Sequence, residues 1–212
     1  RLDVLVVDNG SEDDSVALLR GRFPDLAILE VGENRYFAGG MNVGLAWALA
    51  QGADYALALN NDTLVASDMV SRLVQTAQAR HDAAAVAPLI TDAKGRLWAA
   101  GARRRRCWPF PRNLGCDDLR RAGRPEAIRV DYVTGCGLLL RVKALREVGL
   151  FDEGYRLYYE DADLCARLAQ AGYTLWLAPG ARMTHLVSAT ARRQAQQSVY
   201  LHTRYRLRFY RQ

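Results

Sequence analysis

Residues 2–8 read LDVLVVD, a short unbroken apolar run closed by an acid, as expected of a strand buried on both faces. The polar stretch NGSEDDS follows, where Ser11 and Asp14, three positions on, resemble a capping box. It opens a helix with Val16, Leu19 and Phe23 inward. LAILEV (26–31) is a second strand, and residues 39–52 form a helix with Val43, Trp47 and Ala50 on one face. DYALALNND (54–62) is a third strand running into an acidic turn. Ser67 caps a helix whose Val70, Leu73, Val74 and Ala77 recur at helical spacing. AAAVAPLI (83–90) is a fourth strand, and TDAKGRL is a turn or hairpin. This alternation predicts an α/β fold, a doubly wound and mostly parallel sheet.

The pattern changes after residue 100. Residues 103–126 mix Arg, Pro and Gly without a period and read as an irregular, mobile excursion. IRVDYVTGCGLLLR (128–141) returns to strand patterning, and a short helix stops at Gly149. TLWLAP (174–179) is a strand, and a basic helix ends the chain. No repeat, low-complexity linker or second domain is visible. The reading is one domain with a 1–100 half, a 101–190 half and a basic C-terminal helix over 191–212.

Half of the 212 residues are hydrophobic, enough for a packed core, and no apolar run has the length of a membrane span. Cys107, Cys116, Cys136 and Cys165 form no CxxC pair, which argues against a zinc site or a disulfide scaffold and favours a reducing, cytoplasmic compartment. The net charge of +6 is concentrated in Arg103–Arg106 and in the acid-free tail from Arg192 to Arg211. Such blocks are either solvated faces or surfaces for phosphates and lipid head groups. No nucleic-acid recognition motif accompanies them. The first residue is Arg1 and a strand follows at once, which predicts sequence upstream.

Ligands of open parallel sheets bind at the carboxyl ends of strands, and Asp8 and Asp62 both fall there. Asp62 with Asn60 and Asn61 offers oxygen ligands suited to Mg²⁺ or Mn²⁺, in a shell shared with substrate phosphates. The same residues equally fit a turn closed by Asx hydrogen bonds. GGMNVG (39–44) lacks the dinucleotide glycine spacing, and there is no phosphate loop. Glu160, Asp161 and Asp163 crowd the start of the helix in YYEDADLCARLAQAGY. They are either N-terminal helix acids or the working end of an enzyme. Acidic neighbours raise the pKa of Asp161 and the helix dipole lowers it, so the sum has no sign from sequence. Trp108 is the candidate for stacking on a sugar, whereas Trp47, Trp98 and Trp176 fit core packing. His81 and His202 read as surface residues.

VVDNGSEDDS, NRYFAGGMNVGL, LALNNDT, VTGCGLLLR, GLFDEGYRLYYEDADLCARLAQAGY and APGARMTHLVSA occur in the order found in family 2 glycosyltransferases. Over nearly its whole length the chain resembles the rhamnosyltransferase-like branch of that family. The resemblance implies a GT-A-type nucleotide-sugar-binding fold whose N-terminal strand is missing here, hence an incomplete donor site, poor stability and little activity. It implies a divalent-metal-dependent, inverting transfer of a sugar, rhamnose foremost, from a nucleoside diphosphate to a hydroxyl of a glycan or lipid-linked acceptor.

By the same resemblance, Asp8 contacts the base, Asn60 faces the ribose, and Gly39, Gly40 and Asn42 line the nucleotide side. Asp62 binds the metal, and His185 approaches the metal or diphosphate. Thr134 and Gly135 lie by the sugar and acceptor, and Asp161 is the catalytic base. Glu160 and Asp163 orient the loop, cap the helix or bind the acceptor. Asn60 replaces the first acid of the family's D-x-D-type motif, which leaves one carboxylate for the metal. The basic tail suits contact with an anionic membrane at the inner face of the cell, where a lipid-linked acceptor would lie. Two other readings are an inactive nucleotide-sugar-binding module and a metal-dependent nucleotidyltransferase.

Overall fold

The computed structural model describes residues 1–105, 108–123, 126–186 and 195–211, without the side chains of 104–111 and 195–198. The first elements are β1 (Leu5–Asp8), α1 (Ser15–Arg22), β2 (Ala27–Glu30), α2 (Tyr36–Ala50), β3 (Tyr55–Ala58), β4 (Thr63–Val65) and α3 (Met69–Gln78). Next come β5 (Ala83–Asp92), β6 (Leu97–Ala99), β7 (Ala102–Arg105), β8 (Trp108–Asn113), α4 (Cys116–Arg121), β9 (Ile128–Val130) and β10 (Leu138–Arg141). The last are α5 (Val142–Val148), α6 (Glu160–Gln170), β11 (Thr174–His185) and α7 (Ala195–Phe209).

The fold is α/β, with a mixed central sheet in the order β3-β10-β5-β11-β4. β6 joins on β5, and β9 joins on β11. β5 and β11 are parallel, while β10 runs antiparallel to both β3 and β5. The sheet is thus less parallel than the strand–helix alternation predicts. The reason is local: β9 and β10 replace one continuous strand over 128–141, because Gly135 and a left-handed Gly137 (φ +75°) turn the chain between them. β1 and β2 pair in parallel as a separate ribbon, and α2 packs against both β1 and β3.

Both faces of the central sheet are covered. Leu138 and Leu140 of β10 point into a core with Leu45, Leu145, Leu164, Leu168, Leu175 and Leu177. Leu139, between them, points the other way, to Met69, Leu73 and Ala77 of α3. Arg141 fastens that second layer. Its Nη2 donates to the carbonyls of Ala77 (2.7 Å) and Arg80 (3.2 Å) at the end of α3, where a cation also meets the helix dipole.

Several helix expectations shift. α1 starts at Ser15, because the Ser11 amide is held by Asp8 at 3.2 Å and Asp14 makes no side-chain cap; Phe23 is exposed. On α2 the buried residues include Ala38, Asn42, Leu45 and Ala48, not Val43, Trp47 and Ala50 as a set. Small residues choose that face: a Cβ on Gly40 would stand 2.9 Å from the Asn9 amide. Asp68, not Ser67, precedes α3. Residues 103–126 hold β7, β8 and α4 among those described. Among the described residues the β7–β8 hairpin forms a two-stranded sheet of its own, joined to Tyr132 only by a single bridge at Ala102, so it lacks the alternation by which a sheet-facing strand is recognised. Arg112 ties it to Asp118 of α4 at 2.6 Å.

Gly137, just before β10, tests the close packing of this turn on Met183 of β11. A Cβ there would lie 2.5 Å from the Sδ of buried Met183, on a backbone that already disfavours side chains. Gly137→Ala is expected to lower the unfolding free energy by about 2–4 kcal/mol in urea titration. Gly172→Ala has φ +88° with open space around it and is expected to cost only about 1 kcal/mol. Equal losses would show that the clash contributes nothing.

Candidate functional site

Two carboxylate centres flank one short segment of chain. The first is built by strand register. β11 runs antiparallel to β4, with His185 opposite Thr63, and the Leu186 amide donates to the Asp62 carbonyl at 2.8 Å. This pairing brings His185 Nε2 to 3.1 Å from Asp62 Oδ1, across 123 residues of sequence. Trp98 of β6 packs edge-on against the His185 ring, with centroids 4.6 Å apart. It is 41% exposed and so is not the core residue expected from the sequence.

Asn60 Oδ1 and His185 Nδ1 are buried without a hydrogen-bond partner. Such atoms are costly unless a ligand meets them. If His185 donates from Nε2 to Asp62, the neutral ring keeps a lone pair on Nδ1. One carboxylate, one imidazole and one amide oxygen fit a divalent cation whose shell is completed by phosphate oxygens and water. Among the described residues no group of three or more His, Cys, Asp or Glu forms a closed metal site.

The second centre is Asp161 in the first turn of α6. Its Oδ2 accepts from the Tyr132 hydroxyl at 2.8 Å and from the Gly135 amide at 3.0 Å. Oδ1 accepts from the Ala162 amide at 2.8 Å. Two donors fill the in-plane lone pairs of Oδ2, so the open position is on Oδ1. Burial pushes the Asp161 carboxyl above the ordinary carboxylate range, and the three donors oppose that rise without cancelling it. Burial, and then the Asp161 charge, hold the Tyr132 phenol well above its usual value, so it stays a donor.

Glu160 is 6% exposed, and its Oε2 has no partner. Burial, followed by the charge of Asp161, raises its carboxyl to about 8. Asp163 has a structural task. It holds Arg167 at 2.8 Å, and Arg167 donates to the carbonyls of Val148 and Leu150, both at 2.6 Å, joining α6 to the end of α5. Tyr158 and Tyr159, both at φ +73°, form the sharp entry to α6.

The segment Tyr132–Cys136 joins the two centres. Tyr132 and Gly135 bond Asp161, while Cys136 takes the Asn60 backbone amide and feels the Asp62 charge. Burial, then that charge, drives the Cys136 thiol up to about 12. Gly135 sits closely packed, because a Cβ there would stand 2.9 Å from the Phe37 ring, which would have to shift. Thr134 is half-buried beside it.

The other expected positions divide. Asp8 ends β1 and accepts from Ser11. Asn42 is committed within the protein: it bonds the Phe151 amide (3.0 Å), the Phe151 carbonyl (2.9 Å) and Glu153 (2.9 Å). Gly39 and Gly40 are buried against Arg35 and Asn9. These three residues hold α2 close to neighbouring loops. The Trp108 side chain lies outside the described residues. Tyr132 and Trp98 were not expected at the site; the only signal in sequence is an aromatic near a motif, and that does not single them out.

The family described as Glycosyl transferase family 2 matches residues 1–149. An N-acetylglucosaminyl-diphospho-decaprenol L-rhamnosyltransferase of Mycobacterium tuberculosis is 30% identical over 87% of the chain. The rhamnosyltransferase WbbL of Escherichia coli K12 is 41% identical over 26% of the chain and 21% of its own length. The chain spans 66% of the length of the mycobacterial relative. GalNAc-T7, solved with UDP, GalNAc and Mn²⁺, superposes with a TM-score of 0.66 at 16% identity, over 87% of this chain and 37% of its own. The mannosyltransferase PcManGT of Pyrobaculum calidifontis, solved with GDP-Man and Mn²⁺, gives 0.60 at 22% identity, over 89% and 48%. These likenesses show the fold, the GT-A arrangement expected from the sequence.

The raised Glu160 carboxyl has a consequence for stability. Its folded pKa lies above the unfolded value, so the native state holds the proton more tightly and stability falls as pH rises between roughly 4.5 and 8. Glu160→Gln removes that loss. Its stability gain over the parent is expected to grow from pH 5 to pH 8, to on the order of 3 kcal/mol, and then to level off. Denaturant titrations across that range read it; a gain independent of pH would refute the buried ionisation.

Proposed function

The chain belongs to glycosyl transferase family 2, and from that premise we propose that it moves a sugar from a nucleoside diphosphate to an acceptor hydroxyl, with inversion at the anomeric carbon. The observation that carries this reading is the Tyr132–Cys136 segment, which sets a buried carboxylate on one side and the Asp62–His185 pair on the other. Direct displacement needs these two kinds of group: one to take a proton, one to receive a leaving diphosphate.

In this mechanism Asp161 Oδ1 accepts the proton of the acceptor hydroxyl as its oxygen attacks the anomeric carbon. The bond from that carbon to the diphosphate oxygen breaks on the opposite face. Tyr132 and Gly135 keep the Asp161 carboxylate oriented, and its raised pKa makes it a stronger base than an exposed aspartate. Asp62 and His185 would hold Mg²⁺ or Mn²⁺, which when bound supplies positive charge for the departing diphosphate. Asn60 Oδ1 would accept from the ribose, and Asp8 would meet the base. Thr134, Gly135 and protonated Glu160 would face the acceptor. Residues 1–100 thus serve the donor and 101–190 the acceptor.

The names of the two relatives favour rhamnose as the sugar. The diphospho-decaprenol in one of those names favours a polyprenyl diphosphate-linked acceptor, met at the inner face of the cell membrane.

Asp161→Asn in the full chain is expected to lower transfer by about 10²–10⁴-fold while nucleotide-sugar affinity stays within about twofold. Unchanged turnover would remove Asp161 from the base role. Product analysis is part of the same assay. Release of a nucleoside diphosphate is expected, whereas pyrophosphate would indicate nucleotidyl transfer. Asp62→Asn is expected to abolish the Mn²⁺-dependent part of donor binding in calorimetry. Donor affinity that ignores both the substitution and chelator would refute the metal assignment.

A further inference from the structure

α7 presents two different faces. The inner face grips the entry to α6. Buried Tyr205 meets Tyr155 with centroids 5.4 Å apart. Arg208 pairs with Asp152 at 2.7 Å. His202 packs on the rings of Tyr158 (5.6 Å) and Tyr159 (5.2 Å), and Phe209 packs on Tyr159. The residues gripped are those immediately before Glu160 and Asp161.

The outer face carries Val199, Tyr200, Leu207 and Tyr210, which are 69%, 60%, 58% and 41% exposed. At 100° per residue these four fall on one arc of the helix. Exposed Arg204 and Arg211 border the arc on one side, and Arg206 on the other. A shallow groove runs along it, lined by Tyr200, Thr203, Arg204, Leu207, Arg208 and Arg211. No acid occurs between Arg192 and Gln212.

We propose that the outer face of α7 docks this protein on an anionic lipid bilayer. Leu207, Val199 and Tyr200 enter the boundary between head groups and acyl chains, and the bordering arginines meet lipid phosphates. Charge complementarity selects this partner. A second copy would bring arginine against arginine. A nucleic acid would meet the cations but would gain nothing from burying Val199 and Leu207. Among the described residues no helix is long and apolar enough to cross a membrane, so α7 lies on the surface. Because the same helix holds Tyr158 and Tyr159, docking places the Asp161 centre beside the bilayer. That last consequence rests on the proposed lipid-linked acceptor; the docking itself does not.

Flotation of the full chain with phosphatidylglycerol–phosphatidylcholine vesicles tests this. Binding is expected to exceed that to pure phosphatidylcholine by about tenfold or more and to weaken with salt. The Tyr200→Glu/Leu207→Glu variant, altered only at exposed positions, is expected to keep the native circular dichroism and lose flotation. Arg204→Gln/Arg211→Gln is expected to lose the salt-sensitive part. Equal binding to both vesicle types, or flotation untouched by either variant, would overturn the proposal. So would retention of a single-stranded oligonucleotide that depends on the arginines alone while vesicles are ignored. A chain that floats while Asp161→Asn leaves sugar transfer unchanged supports docking and removes the catalytic reading, so the two fail separately.

Discussion

The arrangement of the site depends on β11 holding its register against β5 on one side and β4 on the other. β11 is 12 residues long, and its parallel ladder with β5 is interrupted between Ala178 and Arg182. Three residues, Pro179, Gly180 and Ala181, stand there against none on β5, a bulge that a strand-ending proline would hide from a sequence reader. Past it the ladder resumes and delivers Met183 to the core and His185 to Asp62. Because side chains alternate across a strand, a slip of one residue would turn His185 to the opposite face. The tight contact of Met183 with Gly137 opposes such a slip, so packing in the core protects geometry at the edge.

The second demand on the fold is to bury negative charge. Asp161 and Glu160 are adjacent, both nearly inaccessible, and at the start of one helix. Asp161 is compensated by three donors, whereas Glu160 Oε2 has none. The two carboxyls thus differ in character: Asp161 is oriented by its donors, whereas burial and the Asp161 charge push Glu160 toward the neutral form. Left-handed backbone at Tyr158 and Tyr159 adds strain at the same place. Arg167 braces α6 from the α5 side, and the aromatic contacts of α7 brace its entry. Unfavourable local choices are thus concentrated where neighbouring elements overdetermine them, the pattern expected of the proposed site.

What could be read from the chain alone follows from where each signal resides. The places of Asp8, Asp62 and Asp161, after two strands and in the first turn of a helix, were legible because an acid closing an apolar run, or crowding a helix start, breaks a pattern. The α/β class was legible in the alternation of strand and helix patterns and the family in the order of its motifs, and the fold and the family match bear them out. The inner face of α2 was not, because two apolar stripes overlap on it and only close contacts at Gly39 and Gly40 choose between them. Tyr132 was not, because its partner lies 29 residues away and nothing local separates it from a core tyrosine. The structural partner of Asn42 was not, because its amide closes on Phe151, 109 positions on. The sign of the Asp161 shift needed the structure too. Helix start and acidic neighbours oppose one another in sequence, and burial, which exceeds both, exists only after folding.

The segment Tyr132–Cys136 shows why the two centres need not be positioned independently. Adjacent Cα atoms are about 3.8 Å apart across a trans peptide, so Gly135 and Cys136 cannot drift relative to one another. Gly135 bonds Asp161 and Cys136 lies by Asn60, hence one peptide unit sets the relation between the Asp161 carboxylate and the strand-end carboxylate. A side chain at 135 would have to shift the Phe37 ring, and a small thiol at 136 fits where its charge is suppressed by burial. Small residues in this stretch therefore serve geometry, not flexibility. For the proposed displacement with inversion, where attack and departure must lie in line, fixing that relation through a single rigid unit is an economical way to keep both ends of the reaction aligned.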